Sequence, residues 1–145
     1  MLELHDGPLA VETLLNKWYQ AYQDKNCGAF ITFVGIVRDE DGIDGLSFDI
    51  YEPILQSWFD AWQEKASQRG ATLIMAHSRG DVPNHTSSYI AGVVSPKRRV
   101  ALELIDVFVE DFKAKAPIWK YDLIDGKRQY ALDRSTALPG AGLLK

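Results

Sequence analysis

Residues 95–124, SPKRRVALELIDVFVEDFKAKAPIWKYDLI, decide the fold. Apolar residues recur there at three- and four-residue spacing, which predicts an amphipathic helix ending near Ala114. The pair Ser95-Pro96 is typical of a helix start, because a hydroxyl caps free N–H groups and proline fits the first helical turn. Pro117 cannot continue the helix, and the alternation in residues 118–124 predicts a strand.

The same two periodicities predict the other elements. Two further helices are expected over residues 9–22 and from 53 to about 69. Further strands are expected over residues 29–38, 46–52, 71–78, 88–95 and 127–132. Residues 29–38 are apolar on both faces, which favours a central strand, whereas RGDVPNHTS, residues 79–87, is typical of a turn.

The order of these elements indicates the fold class. Pairs of strands alternate with helices, which favours an α+β domain over a doubly wound parallel sheet. We expect one domain over residues 1–145, with residues 138–145 as a flexible tail.

Composition excludes several classes of protein. The chain has 145 residues and a formal net charge of -4, which disfavours nucleic-acid binding. Its one cysteine, Cys27, excludes an internal disulfide and a multi-cysteine zinc site. A reducing compartment is therefore expected, and the cytoplasm is the default location. The N-terminus is acidic where a signal peptide needs positive charge, and no apolar run is long enough to span a membrane.

Two lysines flank the proline break. Lys113 lies in the last helical turn, off the apolar stripe, and Lys120 lies on the strand face opposite Trp119. A solvated lysine at the C-terminus of a helix interacts favourably with the helix dipole, which is one explanation for Lys113. Alternatively, the two lysines meet at one surface, where they would act in proton transfer or hold an oxyanion.

Further cations lie at a helix start and at a strand end. Lys97 and Arg98 oppose the helix dipole, so they form either a solvated basic patch or an anion site. Arg38 is the last residue of a buried strand. It either forms an ion pair with a neighbouring acidic residue or binds a ligand. Together these patterns predict one anion-binding pocket lined by Arg38, Lys97, Arg98, Lys113 and Lys120.

Other groups give no sign of a cofactor or metal. His5, His77 and His85 lack metal-ligand spacing, and His77 ends an apolar strand as a structural residue would. Cys27 has no base near it in sequence. No P-loop or dinucleotide-binding glycine motif is present. We therefore expect no cofactor.

Several segments in the same order resemble one enzyme family. GAFITFVGIVRD, HSRGDV and SPKRRVALELIDVFVEDFKAKAPIWKYD are similar to the large, catalytic subunit of molybdopterin synthase. The similarity runs from about Gly28 to Arg134. Its most specific element is a lysine, two residues, Ala-Pro, one apolar residue and then Trp-Lys.

The resemblance implies an α/β hammerhead-type fold and a homodimer of large subunits. A small, ubiquitin-like sulfur-carrier subunit would dock on each end of this dimer and insert its C-terminal thiocarboxylate. Sulfur would pass to cyclic pyranopterin monophosphate and form the dithiolene of molybdopterin. Neither a nucleic acid nor a membrane is implied as a partner.

The resemblance also implies roles for single residues. Lys113 and Lys120 match the family's catalytic lysines. The substrate-binding set is implied to comprise Arg38, Lys97, Arg98, Lys113, Lys120, Tyr121, Asp122 and Arg134. Arg134 matches an arginine that reaches across the dimer.

The chain departs from the family pattern at three places. Lys97 stands where a histidine is common, Asp49-Ile50-Tyr51 lacks the usual histidine, and Tyr121-Asp122 replaces a basic-acidic pair. Two other hypotheses therefore stay open: a non-catalytic module that binds the carrier or a phosphorylated pterin, and a generic α+β domain with a solvated basic face.

Overall fold

The computed structural model describes residues 1–130 of the chain. Three helices and seven strands follow one another along this part. They are β1 (Leu2–Asp6), α1 (Val11–Tyr22), β2 (Ala29–Ile36), β3 (Gly45–Ile50), α2 (Glu52–Ser67), β4 (Thr72–Pro83), β5 (Ser87–Ser95), α3 (Arg98–Lys115), β6 (Ile118–Ile124) and β7 (Lys127–Tyr130).

Strand β4 joins two halves of the sheet. Its first half pairs with β5 and, in parallel, with β1, while its second half, residues 80–83, pairs with β3. The strand order is β2-β5-β4-β3-β6-β7, with β1 beside β4 and all other pairs antiparallel. The molecule therefore turns from one sheet region to the other within a single strand.

Helices cover both faces of the first sheet region. Trp18 and Leu14 of α1 pack on one face against Ile74 and Ile90. Helices α2 and α3 pack on the other face, where they form the larger core with residues such as Phe108. This three-layer arrangement fixes the C-terminal end of α3 beside the junction of the two sheet regions.

The predicted strand over 29–38 forms β2, but the expectation of a central position is wrong. Among the described residues, β2 lies at the end of the sheet and pairs with β5 alone. Both of its faces are apolar because a helical layer covers each one. Phe30 and Val34 pack into the core beneath α1, and Ile31 packs into the core beneath α2 and α3. An edge strand covered on both faces has the composition of a central one.

The predicted turn over 79–87 is also mostly wrong. Strand β4 continues to Pro83, and the turn is confined to residues 84–86. Gly80 has a φ of +73°, which glycine adopts without strain, so the strand bends there and still pairs with β3. Pairing across the sheet overrides the local turn signal.

The start of α3 lies later than predicted. The helix begins at Arg98, and no side chain caps its N-terminus. The Ser95 hydroxyl accepts a hydrogen bond from the Lys97 amide at 3.2 Å and donates one to the Lys97 carbonyl at 2.8 Å. Ser95 therefore closes a turn before the helix.

Strand β1 was not predicted. It is short, and its partner β4 lies about 70 residues away, so a parallel pair of this kind leaves no local signal. The single domain over 1–145 stays a prediction, and the tail 138–145 lies outside the described residues. Within residues 1–130 no helix is long and apolar enough to cross a bilayer.

Candidate functional site

A cavity of about 420 Å³ lies where the two sheet regions meet the end of α3. Cavities of this size suit small-molecule ligands. Strand β2 and the loop after it, strands β3 to β6 and the last turn of α3 all contribute to its wall. The lining residues are Phe33, Gly35, Ile36, Val37, Arg38, Glu40, Ile43, Leu46, Phe48, His77, Ser88, Tyr89, Phe112, Lys113, Ala114, Ala116, Ile118 and Lys120.

Three cations from three separate elements line this cavity. Arg38 follows β2, Lys113 lies in the last turn of α3, and Lys120 lies on β6. Arg38 also approaches Glu40, with 3.5 Å between Nη2 and Oε1, so the predicted ion pair and the predicted cavity position both occur. The cavity wall is therefore positively charged in a chain of net negative charge.

Packing of the helix end positions Lys113. Phe112 is buried in the core, while Lys113 beside it is exposed and lines the cavity. Within residues 1–130, no ion pair involves Lys113. Lys115, in contrast, lies 3.5 Å from Asp111 and does not line the cavity.

Asp111 anchors α3 to α2. Its Oδ2 accepts hydrogen bonds from Nε1 of Trp58 at 3.0 Å and of Trp62 at 2.7 Å. Burial alone would raise the pKa of the Asp111 carboxyl, but these indole bonds and the Lys115 charge together hold it below its ordinary value. A charged acceptor thus ties together two helices just before Lys113.

The strand pleat of β6 positions Lys120. Trp119 and Tyr121 are buried, and Lys120 between them points to the opposite face. Lys120 is the register partner of Phe48 on β3, so both reach the cavity side by side. Pro117 separates this strand from α3, as predicted, which brings Lys113 and Lys120 to one cavity.

Four ring side chains form the floor of the cavity: Phe48, His77, Tyr89 and Phe112. Tyr89 stacks on Phe112 with centroids 4.1 Å apart, and Phe48 meets His77 edge-on at 4.8 Å. Burial lowers the pKa of His77 to about 4, although its hydrogen bond to Ser78 acts in the opposite direction. The floor is therefore uncharged near neutral pH, beneath a cationic rim.

The sequence pattern indicates a structural role for His77 and gives no sign that the other three rings belong to a site. Aromatic residues within strands and on a helix stripe look the same whether they fill a core or face a cavity. No signal in the sequence would have separated the two.

Lys97 and Arg98 lie at the other end of α3 and do not line this cavity within one chain. Helix α3 has 18 residues, so about 22 Å separate the backbone of Arg98 from that of Lys113. Of the five cations predicted to share a pocket, one chain brings together three.

The other three predicted substrate-binding residues do not line the cavity among the described residues. Two of them, Tyr121 and Asp122, lie on β6 away from it. The guanidinium of Arg128 lies 3.9 Å from the Tyr121 ring, and burial, then a hydrogen bond to Asp49, raise the pKa of Tyr121. Asp122 shares the Lys120 face of β6 but lies two residues farther along. Arg134 lies outside the described residues.

Comparison with known proteins identifies the family. A family model described as "MoaE protein" matches residues 5–115.

The chain belongs to the MoaE protein family.

Its MoaE relatives include a curated protein named molybdopterin synthase catalytic subunit from Helicobacter pylori strain 26695. That protein is 52% identical over 144 residues, which cover 99% of each chain. A second curated protein of the same name, from H. pylori strain J99, is 43% identical over 144 residues, again 99% of each. The predicted resemblance is confirmed, and with it the expectation of an enzyme of molybdenum cofactor biosynthesis.

Two solved structures agree with the fold. A protein–protein complex of subunits 1 and 2 of molybdopterin-converting factor from H. pylori 26695 contains a chain that matches with a TM-score of 0.92 and 51% identity, over 99% of each chain. Molybdopterin synthase from Staphylococcus aureus matches with a TM-score of 0.75 over 88% of this chain and 94% of that one, and at 20% identity it supports the fold alone. The predicted α+β fold class is confirmed.

Sulfur transfer to a pterin is the known role of the MoaE family. Within residues 1–130 no group of three or more His, Cys, Asp or Glu side chains comes together as a metal site would require.

Proposed function

We propose that this chain transfers sulfur from the C-terminal thiocarboxylate of a small ubiquitin-like carrier subunit to cyclic pyranopterin monophosphate. Two such transfers, each leaving the carrier as its carboxylate, form the dithiolene of molybdopterin. One observation carries the proposal: Arg38, Lys113 and Lys120, from three separate elements, line one cavity of about 420 Å³.

Charge explains why these side chains suit the reaction. The thiocarboxylate and the cyclic phosphate are both anions, and two anions repel each other in a confined site. Cations around a shared cavity hold both reactants and stabilise the charge that develops as carbon–sulfur bonds exchange. Lys113 and Lys120 are the proposed catalytic residues, and Arg38 is a proposed substrate-binding residue.

The partner is proposed from the similar solved complex. The H. pylori structure, 51% identical to this chain, contains subunits 1 and 2 together, which supports a small-subunit partner here. An extended C-terminal tail of such a partner would enter the cavity beside Lys113. A cytoplasmic location stays a prediction from the single cysteine.

The family resemblance implies a homodimer of large subunits, and we propose one here because one chain leaves the predicted site incomplete. Arg98 lies about 22 Å along α3 from Lys113, with Lys97 directly before it, and a helix does not fold back to close that gap. A second copy related by two-fold symmetry would bring its own Lys97 and Arg98 to this cavity. Lys97 would then contribute charge where a histidine is common, and Arg134 would complete the substrate-binding set.

The direct test is sulfur transfer in a purified system. The chain is mixed with a thiocarboxylated carrier and the pyranopterin, and the dithiolene product and the spent carrier carboxylate are followed by mass spectrometry. Product that increases with time supports the proposal. Stoichiometric carrier binding without product would contradict it and would favour the non-catalytic binding module.

A further inference from the structure

The hydroxyl of Tyr89 is buried without a hydrogen-bond partner. Tyr89 is 4% exposed, lines the cavity and stacks on Phe112, yet within residues 1–130 no group bonds to its hydroxyl. Such a group lowers stability, because it has left water and gained no partner. Phenylalanine would pack there without that cost, so the hydroxyl requires an explanation.

His77 lies directly beside Tyr89 and presents the complementary group. The two are register partners on β4 and β5, and their ring centroids are 5.8 Å apart. Nδ1 of His77 donates to the Ser78 carbonyl at 2.8 Å, because a carbonyl oxygen only accepts. In the neutral ring Nε2 therefore carries a lone pair, and no described residue donates a hydrogen bond to it.

Strand β2 passes beside Tyr89 with a residue that has no side chain. Gly35 on β2 is the register partner of Tyr89, and it also lines the cavity. A side chain at position 35 would point toward the same face and contact the Tyr89 Cβ, which would lie 3.4 Å from the added Cβ. With glycine there, no side chain from position 35 occupies the space next to Tyr89.

We propose that Tyr89 and His77 are specificity-determining residues that bind the uncharged heterocycle of the substrate. The Tyr89 hydroxyl donates a hydrogen bond to a ring acceptor, and Nε2 of His77 accepts one from a ring N–H. The proposal rests on the proposed function, since it takes the pterin as the occupant.

The separation of charged residues at the rim from uncharged rings at the floor of the cavity supports this assignment. Arg38, Lys113 and Lys120 supply the positive charge that a phosphate or a thiocarboxylate needs. The floor carries no charge and consists of flat rings, which suit a flat ring with donors and acceptors at its edge. A neutral donor beside a neutral acceptor matches an amide-like ring edge better than it matches an anion.

The first test compares Tyr89→Phe with wild type in steady-state sulfur transfer. Loss of one neutral hydrogen bond should raise the KM for the pterin about five- to tenfold, with kcat within about twofold. The affinity for the carrier should not change, and the melting temperature should stay equal or rise. The matched control is Tyr19→Phe, because Tyr19 is 57% exposed and does not line the cavity.

Two results would overturn the assignment of Tyr89. One is a KM for the pterin that equals the wild-type value. The other is a loss of carrier affinity in place of pterin affinity, which would make the carrier tail the occupant. If wild type itself transfers no sulfur, the proposed function fails instead, so the two failures are distinguishable.

A second measurement tests His77 without a substitution in the core. In ¹⁵N-labelled protein, the resonance of the unprotonated Nε2 should move upfield when the pterin is added, because a hydrogen bond to the lone pair increases shielding. The carrier alone should leave this resonance in place. An unchanged Nε2 signal at saturating pterin would remove His77 from the site.

Discussion

Lys115 lies 3.5 Å from Asp111, one helical turn earlier on α3, whereas Lys113, two residues from each, lines the cavity. Two lysines of the same turn thus have different surroundings. Lys115 interacts with the C-terminal end of the helix dipole and with a carboxylate, whereas Lys113 lines the candidate site.

This pair provides a matched test of catalysis. Lys113→Ala should lower kcat/KM for sulfur transfer at least about 100-fold, because the charge that holds the reactants is lost. Both lysines are exposed, so neither substitution should change the melting temperature by more than a few degrees. Lys115→Ala should keep nearly full activity. Equal activity of the two variants would refute the role of Lys113.

Asp111 should matter for stability. Asp111→Ala leaves the indole N–H groups of Trp58 and Trp62 without their acceptor, so the free energy of unfolding should fall by about 2–4 kcal/mol. Urea denaturation measures this change. Asp106→Ala, at an exposed position of the same helix, is the control and should change stability by about 0.5 kcal/mol or less. Similar losses in both variants would exclude the proposed anchor.

His77 should make stability depend on pH in a defined window. Its pKa is lowered to about 4 in the folded protein from an ordinary value of 6.5, so below pH 6.5 the unfolded chain binds a proton that the folded chain does not. Stability should therefore fall as pH decreases from about 6.5 toward 4, by about 2 kcal/mol at pH 5.

Urea denaturation at pH 8 and pH 5 measures this dependence. His77→Gln should reduce the difference between the two pH values, since the titrating group is gone. His85→Asn should retain the difference, because His85 is exposed. A wild-type difference that persists in His77→Gln would assign the effect to other groups.

Mixed dimers test whether two copies build one site. Lys113→Ala and Arg98→Ala should each inactivate a homodimer in which the two residues of a site come from different subunits. A random mixture contains half heterodimers, each with one intact site, so about one quarter of the wild-type activity should return. Differently tagged, co-expressed subunits allow the measurement. Activity no higher than that of the separate variants would contradict a shared site.

Local patterns predicted α3, β6 and the break at Pro117, because helical periodicity, strand alternation and proline chemistry all act within a few residues. Lys113 and Lys120 were identifiable for the same reason, since each departs from the apolar pattern of its own element.

The remaining features depend on contacts between distant segments. The bend at Gly80 and strand β1 are determined by pairing with strands far away in sequence. Tyr89 and His77 appear as ordinary core residues until the cavity beside them is known. The separation of Arg98 from Lys113, however, follows from helix length alone, because each helical residue adds a fixed rise along the axis.

Helix α3 is a spacer of fixed length between two basic clusters, one at each terminus. Removing a single residue from its middle would shorten it by about 1.5 Å and rotate everything beyond the deletion by about 100°. Lys113 would then no longer point into the cavity, while the basic cluster at the N-terminus of the helix would keep its position. Substitutions along the exposed side of this helix should be tolerated, but insertions and deletions should not.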